Sequence, residues 1–260
     1  MQENISRLSS LAVSAKTLRL FLDYDGTLAP FAPSPDDIFP DPEIIALLKQ
    51  LVSSPGVLPA IISGRRLAHI QKLLPVKRLL KSGTYGLEME LPDGQIYNML
   101  PYQQVRPVIE NLIPEWGKII AGQTGFYLED KGWSLALHAR FAPPDITKNV
   151  LDEARNVVYR QRPGDDYVLT GDEIFLELAP KMARKSIAVE SIIRQDTDKD
   201  EVIIYFGDDD KDEEAFNTVH KYGGYAVRVA SQNVKTSTPY RLNNPQEVNT
   251  WLCELVIARH

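Results

Sequence analysis

Two acidic clusters and two isolated polar residues carry the chemistry open to this sequence. The first cluster is Asp23-Tyr24-Asp25-Gly26-Thr27, directly behind the apolar run Leu20-Phe21-Leu22. Side chains two positions apart on an extended chain share a face, so Asp23 and Asp25 can point the same way. Gly26 lets the chain turn, and Thr27 then offers a hydroxyl and a backbone N–H to an anion. The second cluster is Asp208-Asp209-Asp210-Lys211-Asp212-Glu213, behind Tyr205-Phe206-Gly207. Five acids in six positions can be a solvated helix start favoured by the helix dipole. Such a crowd nevertheless repels itself unless a cation is present. Two acidic strand ends converging on one point would suit a hard cation with oxygen ligands, which is the preference of Mg²⁺.

Between the clusters lie two residues suited to an anion. Ile61-Ile62-Ser63-Gly64-Arg65 ends an apolar run, so the Ser63 hydroxyl and the following helix N-terminus can hold a phosphate oxygen. Lys185 opens a helix after Glu177-Leu178-Ala179-Pro180. Taken alone, a lysine there is ordinarily a surface charge.

Short apolar runs alternating with amphipathic stretches must position these groups. Residues 18–22, 57–62 and 79–82 read as buried strands. Asp41-Pro42 is an N-cap followed by proline at the first helical position, and apolar residues then repeat at helical spacing over 44–51. Residues 66–74 form the next helix. Pro92-Asp93-Gly94, flanked by 88–91 and 95–98, is a hairpin signal. From residue 103 the pattern changes. A helix at 103–118 precedes strands at 126–129 and 133–139, and a helix at 145–161 precedes strands at 167–170 and 173–178. The later strands alternate and are bounded by Gly and Asp, which makes them antiparallel. After Pro180 the α/β rhythm returns, with helices from Arg184, Asp212 and Pro245 and strands at 202–206 and 225–229. The expectation is an α/β fold with a parallel sheet, its core formed by 1–102 plus 179–260, and an insert at 103–178.

A chain of 260 residues accommodates one core domain with a smaller insert. Its net charge of −6 and lack of a basic run give nucleic acid and anionic membranes no footing as partners. No run reaches the ~18 apolar residues of a membrane helix. Cys253 is the single cysteine and cannot form an internal disulfide, so it is expected on a helix face in a reducing, cytoplasmic setting.

In this order the residues resemble the haloacid dehalogenase (HAD) superfamily of aspartate-nucleophile phosphatases: Asp23 with Asp25, then Ser63, then Lys185, then Asp208 with Asp212. The resemblance runs from about residue 18 to the C-terminus. It implies a Rossmannoid core and an inserted α/β cap of the larger (C2) type. Within the superfamily the sequence is similar to the trehalose-6-phosphate phosphatase family. The likeness lies in Leu22-Asp23-Tyr24-Asp25-Gly26-Thr27-Leu28, Ile62-Ser63-Gly64-Arg65, Gly83-Thr84-Tyr85-Gly86-Leu87-Glu88 and Gly207-Asp208-Asp209-x-x-Asp212-Glu213. The stretch from Glu129 to Arg140 resembles that family's cap strand pair.

The resemblance implies a division of labour. Asp23 is the nucleophile, Asp25 the general acid and base, and Lys185 a catalytic and phosphate-binding cation. Thr27, Ser63 and Gly64 complete the phosphate site. Mg²⁺ is held by Asp23, Asp208 and Asp25, the last through its backbone carbonyl, while Asp209 and Asp212 orient Lys185 or the metal's surroundings. Glu88, Glu129, Lys131, Arg140 and Glu177 are implied as sugar contacts. The substrate is a small sugar phosphate, either trehalose 6-phosphate or another glycosyl phosphate such as glucosylglycerol phosphate, a glycosyl-3-phosphoglycerate or sucrose 6-phosphate. Functional pairing with a glycosyltransferase that makes the substrate stays open. Three stretches depart from the family pattern. Thr84-Tyr85-Gly86 stands for Asn-His-Gly, and Pro180-Lys181-Met182-Ala183-Arg184-Lys185-Ser186 stands for Pro-x-Gly-x-Asn-Lys-Gly. His138-Ala139-Arg140 lacks the aromatic between His and Arg. A phosphorylated receiver module also uses an acidic strand end, a hydroxyl residue and a lysine, but it is about half this length and has no cap. A phosphosugar mutase shares the motifs and differs in what the phosphoryl intermediate donates to.

Overall fold

The apolar run after Lys16 becomes β1 (Thr17–Leu22), a strand buried along nearly its whole length. A strand covered on both faces needs a near-continuous hydrophobic run, and Leu18-Arg19-Leu20-Phe21-Leu22 supplies one. The computed structural model describes residues 2–31, 38–195, 200–232 and 234–259. They divide into two compact units, Met1–Tyr97 with Arg184–His260, and Asn98–Ala183.

The first unit is built on an eight-stranded sheet. Parallel to β1 on one side runs β2 (Val57–Ile62), followed by β3 (Leu80–Gly83), and the short antiparallel β4 (Glu88–Glu90) and then β5 (Ile96–Asn98) complete that edge. On the other side lie β10 (Glu201–Gly207), β11 (Tyr225–Val229) and β12 (Tyr240–Leu242), all parallel. The chain therefore leaves β1 in one direction and later returns to build in the other. The carboxyl end of β1 is thus a topological switch point, where a crevice opens beyond the sheet.

Side-chain parity assigns the two faces. Leu18, Leu20 and Leu22 join the core with Leu8 and Ala12 of α1 (Gln2–Ser14), Leu47 and Leu48 of α2 (Pro42–Ser53), and Trp251 and Leu252 of α8 (Pro245–Arg259). Ile70 and Leu73 of α3 (Leu67–Leu73) belong to the same cluster. On the opposite face Phe21 stacks on Tyr205, and Tyr205 meets Phe216 of α7 (Asp210–Lys221) edge-on. There α7 packs beside α6 (Lys185–Gln195). As expected, α2 starts with Asp41 accepting from the amides of Glu43 and Ile44, ahead of Pro42. Two elements, α1 and β12, go beyond the sequence reading. The first has a thin apolar stripe among serines, and the second is too short to show a period. The guanidinium of Arg259 ties α1 and α8 together by donating to the carbonyls of Ala12, Ala15 and Pro55.

The second unit repeats helix–strand–strand. It runs α4 (Tyr102–Ile120), β6 (Tyr127–Asp130), β7 (Leu135–His138), α5 (Pro144–Gln161), β8 (Tyr167–Gly171) and β9 (Phe175–Pro180). Its sheet is antiparallel throughout, in the order β6-β7-β9-β8. Leu135 and Leu137 pair with Leu178 and Leu176 on a buried face. The other face carries Glu129, Ala136, His138 and Glu177, which the register sets side by side.

Trp116 is fully buried on α4, and its indole N–H donates to the Ala154 carbonyl of α5 at 3.1 Å. Trp116→Ala should lower the unfolding free energy by about 3–5 kcal/mol through loss of packing. Trp116→Phe should cost less, keeping most of the area and losing only the indole's bond to that carbonyl. Urea unfolding followed by circular dichroism would show this ranking, and an equal cost for both variants would contradict it.

Candidate active site

The switch point collects the acidic residues because both strands that flank it end in aspartate. The Asp23 amide donates to the Phe206 carbonyl at 3.0 Å, which extends the β1–β10 pairing one residue past β1. Asp23 has the parity of Phe21, so its carboxylate turns toward the α6–α7 face. The chain then reverses, with Leu28 and Ala29 both donating to the Tyr24 carbonyl. Gly26 sits in this turn at φ +84°, and a side chain there would run into the Asp208 carboxylate. Glycine is therefore required by backbone conformation and by space alike. Thr27 Oγ1 donates to Asp208 Oδ1 at 3.2 Å, linking the two acidic loops.

Lys185, the first residue of α6, is buried against this cluster. Its Nζ donates to Asp23 Oδ1 at 2.8 Å and to Asp212 Oδ1 at 2.7 Å. Asp212 is also completely buried and has its acceptors filled. The Tyr205 hydroxyl donates to Oδ1 at 2.7 Å, and the amides of Asp208 and Asp209 donate to Oδ2 at 3.0 and 3.1 Å. Asp209 caps α7 in return, accepting from the Asp212 amide at 2.9 Å. Asp212 thus fastens the second acidic loop to Lys185. One oxygen each of Asp23, Asp208 and Asp212 lies within 4.8 Å of the others.

These charges do not balance, since three carboxylates face one ammonium. Burial raises the Asp23 carboxyl to about 7 against the pull of Lys185, with Asp208 adding to the rise. Burial likewise lifts Asp212 to about 7, opposed by Lys185 and helped by Asp23. Asp208 is raised to about 6 by burial and by the neighbouring acids Asp212 and Asp209, against a hydrogen bond with Asp23. Burial works against the Lys185 ammonium, but Asp212 and Asp23 outweigh it and hold it well above the ordinary lysine value. A divalent cation with oxygen ligands is the species this set lacks, so the residues fit Mg²⁺. Both Asp212 oxygens are already engaged, which leaves Asp23 and Asp208 as the side chains able to ligate.

The residues expected to hold phosphate, Ser63 and Gly64, follow the next strand. The Ser63 hydroxyl accepts from the Arg65 amide at 3.1 Å, at the end of β2. Arg65 grips Asp25 with two bonds, Nε to Oδ2 at 2.6 Å and Nη2 to Oδ1 at 2.8 Å, while its Nη1 lies 3.2 Å from His69 Nδ1. Asp23, Thr27, Lys185, Asp208, Asp209 and Asp212 therefore form one connected set. The Asp25 carboxylate is turned instead to Arg65, beside Ser63 and Gly64.

In the second unit the polar face of the sheet gathers Glu129, Lys131 and Glu177. Lys131 Nζ donates to Glu177 Oε1 at 3.0 Å and lies 3.8 Å from Glu129, and the Ser134 hydroxyl donates to the same Glu177 oxygen at 2.9 Å. His138 Nε2 lies 3.0 Å from Glu129 Oε2. Burial would raise the Glu129 carboxyl, but His138 and Lys131 outweigh it and hold it below the usual range. Arg140 is exposed just past β7, at a cavity of about 700 Å³ that Lys148, Arg155 and Asp172 also line. Glu88 belongs to the first unit and accepts from Thr84 Oγ1 at 3.0 Å.

Sequence reasoning gave no role to Tyr205, Arg65, Ser134 or His138. Tyr205 had a faint signal, a hydroxyl inside a strand that is otherwise apolar. Arg65 stood in plain view beside Ser63-Gly64, but only the fold shows that its partner is Asp25.

Comparison with known proteins follows the same lines. The trehalose-phosphatase family model matches residues 21–246. A probable trehalose-phosphate phosphatase of Sinorhizobium fredii (strain NBRC 101917 / NGR234) is 31% identical over 222 residues, covering 85% of this chain and 81% of that one. Trehalose-6-phosphate phosphatase of Escherichia coli (strain K12) is 27% identical over 234 residues, covering 89% and 84%. The solved C-terminal domain of C. albicans trehalose-6-phosphate phosphatase superposes with a TM-score of 0.80 at 22% identity, covering 97% of each chain. At that identity the structural likeness speaks to the fold alone. That fold is the α/β, haloacid-dehalogenase-like one expected, shared with a haloacid dehalogenase-like hydrolase from Bacteroides thetaiotaomicron.

The raised carboxyls set a sign for stability. Asp23 and Asp212 lose their protons near pH 3.8 when unfolded but only at about 7 when folded. Between those values the folded state binds more protons, so metal-free stability falls as pH rises through that window. In EDTA the melting temperature should drop between pH 5 and pH 7.5, and added Mg²⁺ should raise it most at the upper end. A flat profile with no Mg²⁺ effect would mean that the cluster is already neutralised.

Proposed function

We propose that this chain, which belongs to the trehalose-phosphatase family, hydrolyses trehalose 6-phosphate to trehalose and inorganic phosphate. It is a phosphoric monoester hydrolase. The observation that carries the reading is the buried Asp23–Lys185–Asp212 set beside Asp208, at the open end of the central strands.

Asp23 acts as nucleophile. Lys185 fixes Oδ1, and an oxygen of the carboxylate attacks phosphorus in line, forming an aspartyl-phosphate as the bond to the sugar oxygen breaks. Asp25, protonated from solvent when one of its oxygens leaves Arg65, gives that proton to the departing sugar oxygen. It then takes one from the water that attacks the aspartyl-phosphate and releases phosphate. Arg65 sets the orientation of that carboxylate through its two-pronged grip. Thr27, Ser63, the Gly64 amide and Lys185 receive the phosphate oxygens. Asp23, Asp208 and the Asp25 carbonyl would hold Mg²⁺, which offsets the repulsion between an anionic nucleophile and an anionic phosphate.

The inserted unit supplies sugar selectivity. Glu129, Lys131 and Glu177 form a braced array of acceptors and donors suited to vicinal hydroxyls, with Ser134 and His138 locking two of its members. A sugar made by a glycosyltransferase and dephosphorylated here, within the cytoplasm, fits this chemistry. No helix among the described residues is long and apolar enough to cross a membrane.

Phosphate release from trehalose 6-phosphate, measured with Mg²⁺ beside glucosylglycerol phosphate and sucrose 6-phosphate, tests the substrate. A kcat/KM for trehalose 6-phosphate well above the others supports it, and a higher value for another glycosyl phosphate moves the assignment to that sugar. Asp23→Asn should lower kcat by at least about 10³-fold while leaving the melting temperature within a few degrees. Wild-type turnover in that variant would sink the mechanism. Glu129→Ala should raise KM for trehalose 6-phosphate by about tenfold or more and leave p-nitrophenyl phosphate hydrolysis almost untouched, because only the former has hydroxyls to lose. An equal loss on both would remove the sugar role.

A further inference from the structure

One of the departures from the family pattern forms a built feature of the first unit. Thr84 and Tyr85 both hold positive φ, at 47° and 56°, a conformation that a β-branched or bulky residue adopts only when its surroundings impose it. Two backbone bonds do so: the Thr84 amide donates to the Arg65 carbonyl at 2.7 Å, and the Tyr85 amide donates to the Ser63 carbonyl at 2.9 Å. The Thr84 hydroxyl on Glu88 adds a third tie. The strained turn is thereby strapped across the Ser63-Gly64-Arg65 loop.

The strapping has a specific product. The Tyr85 ring lies on Gly64 so closely that a side chain at position 64 would meet ring carbons at 2.5 and 2.6 Å and the hydroxyl at 2.8 Å. The same hydroxyl accepts from Lys211 Nζ at 2.6 Å, and the ammonium stands 4.1 Å from the ring centroid. Lys211 sits in the first turn of α7, one residue before Asp212 and three after Asp208. A cation is ordinarily disfavoured at a helix N-terminus, so its placement there calls for a compensating anion. The acids of its own loop supply part of that charge, but Tyr85 draws the ammonium to the rim of the phosphate-binding turn.

We propose that Lys211, held by Tyr85, is a second phosphate-contacting cation for the reaction, binding the phosphoryl group from the side of Gly64, beside Lys185, two of whose three donors already serve Asp23 and Asp212. This rests on the proposed function for the place of the phosphate but not for the identity of the sugar. Because Lys211 reads the phosphate, its effect is shared by every phosphoester the site accepts and by free phosphate.

The test is steady-state hydrolysis of trehalose 6-phosphate and of p-nitrophenyl phosphate at saturating Mg²⁺, with competitive inhibition by inorganic phosphate, for wild type, Lys211→Met, Lys211→Arg and Tyr85→Phe. Lys211→Met should raise KM for both substrates by about tenfold and weaken phosphate inhibition by the same factor, as loss of one charge-assisted bond would. Its kcat should change by less than about threefold on the same grounds. Lys211→Arg should restore most of the affinity, and Tyr85→Phe should fall between, since the ring remains and the acceptor goes. The proposal is overturned if Lys211→Met leaves both KM and phosphate inhibition unchanged. A loss confined to kcat, or one that arginine does not rescue, overturns it as well. Failure of the sugar assignment shows separately, in the wild type's preference among glycosyl phosphates.

Discussion

Asp23, Asp208 and Asp212 converge at the carboxyl end of the central strands with one ammonium, Lys185, among them. Carboxylates crowded in a poorly solvated place resist ionisation together, and each must find donors or share a cation. Much of the local architecture answers that need. The amides of Asp208 and Asp209, just ahead of α7, both donate to Asp212, Tyr205 reaches out of β10 to the same carboxylate, and Thr27 reaches across to Asp208. Charge is still left over, with more carboxylates than ammonium groups in the cluster. A carboxylate that is buried, oriented and under-neutralised, as Asp23 is, favours the approach of a cation.

The second unit handles polarity differently. Its charged groups are matched within the sheet face: Lys131 against Glu177 and Glu129, Ser134 against Glu177, His138 against Glu129. Groups held this way by neighbours keep their direction without a ligand, the condition of a preorganised surface. The first unit thus concentrates unbalanced charge, and the second holds charge that is matched.

The sheet and most helices were legible because their signals are local. The runs at 57–62 and 225–229 are strands as expected, and Asp41-Pro42 caps α2 as its residue types demand. Alternation and Gly/Asp punctuation likewise disclosed the antiparallel strands of the second unit. What escaped depended on distance in the sequence. Nothing around Arg65 announces a partner 40 residues earlier, and nothing around Tyr205 tells its hydroxyl from an ordinary buried phenol until α7 folds back. The α1 helix escaped for another reason: its few apolar residues make sense only against α8 and the sheet.

Consider finally the order in which the chain is made. β1 is flanked by β2, forty residues on, and by β10, whose Glu201 pairs with Thr17 and whose carboxylate also holds Arg19. The middle of the sheet therefore stays half-built while the whole of the second unit is synthesised. That unit, by contrast, is one unbroken stretch with its own buried face. The second unit can consolidate on the emerging chain while β1 still waits for its neighbour, exposing an unpaired apolar edge. The acidic cluster cannot assemble before β10 and the start of α7 are made, because Asp23 and Asp208 lie far apart in the sequence. A chain that stops short of Asp208 consequently leaves Asp23 without the acids that surround it in the folded molecule.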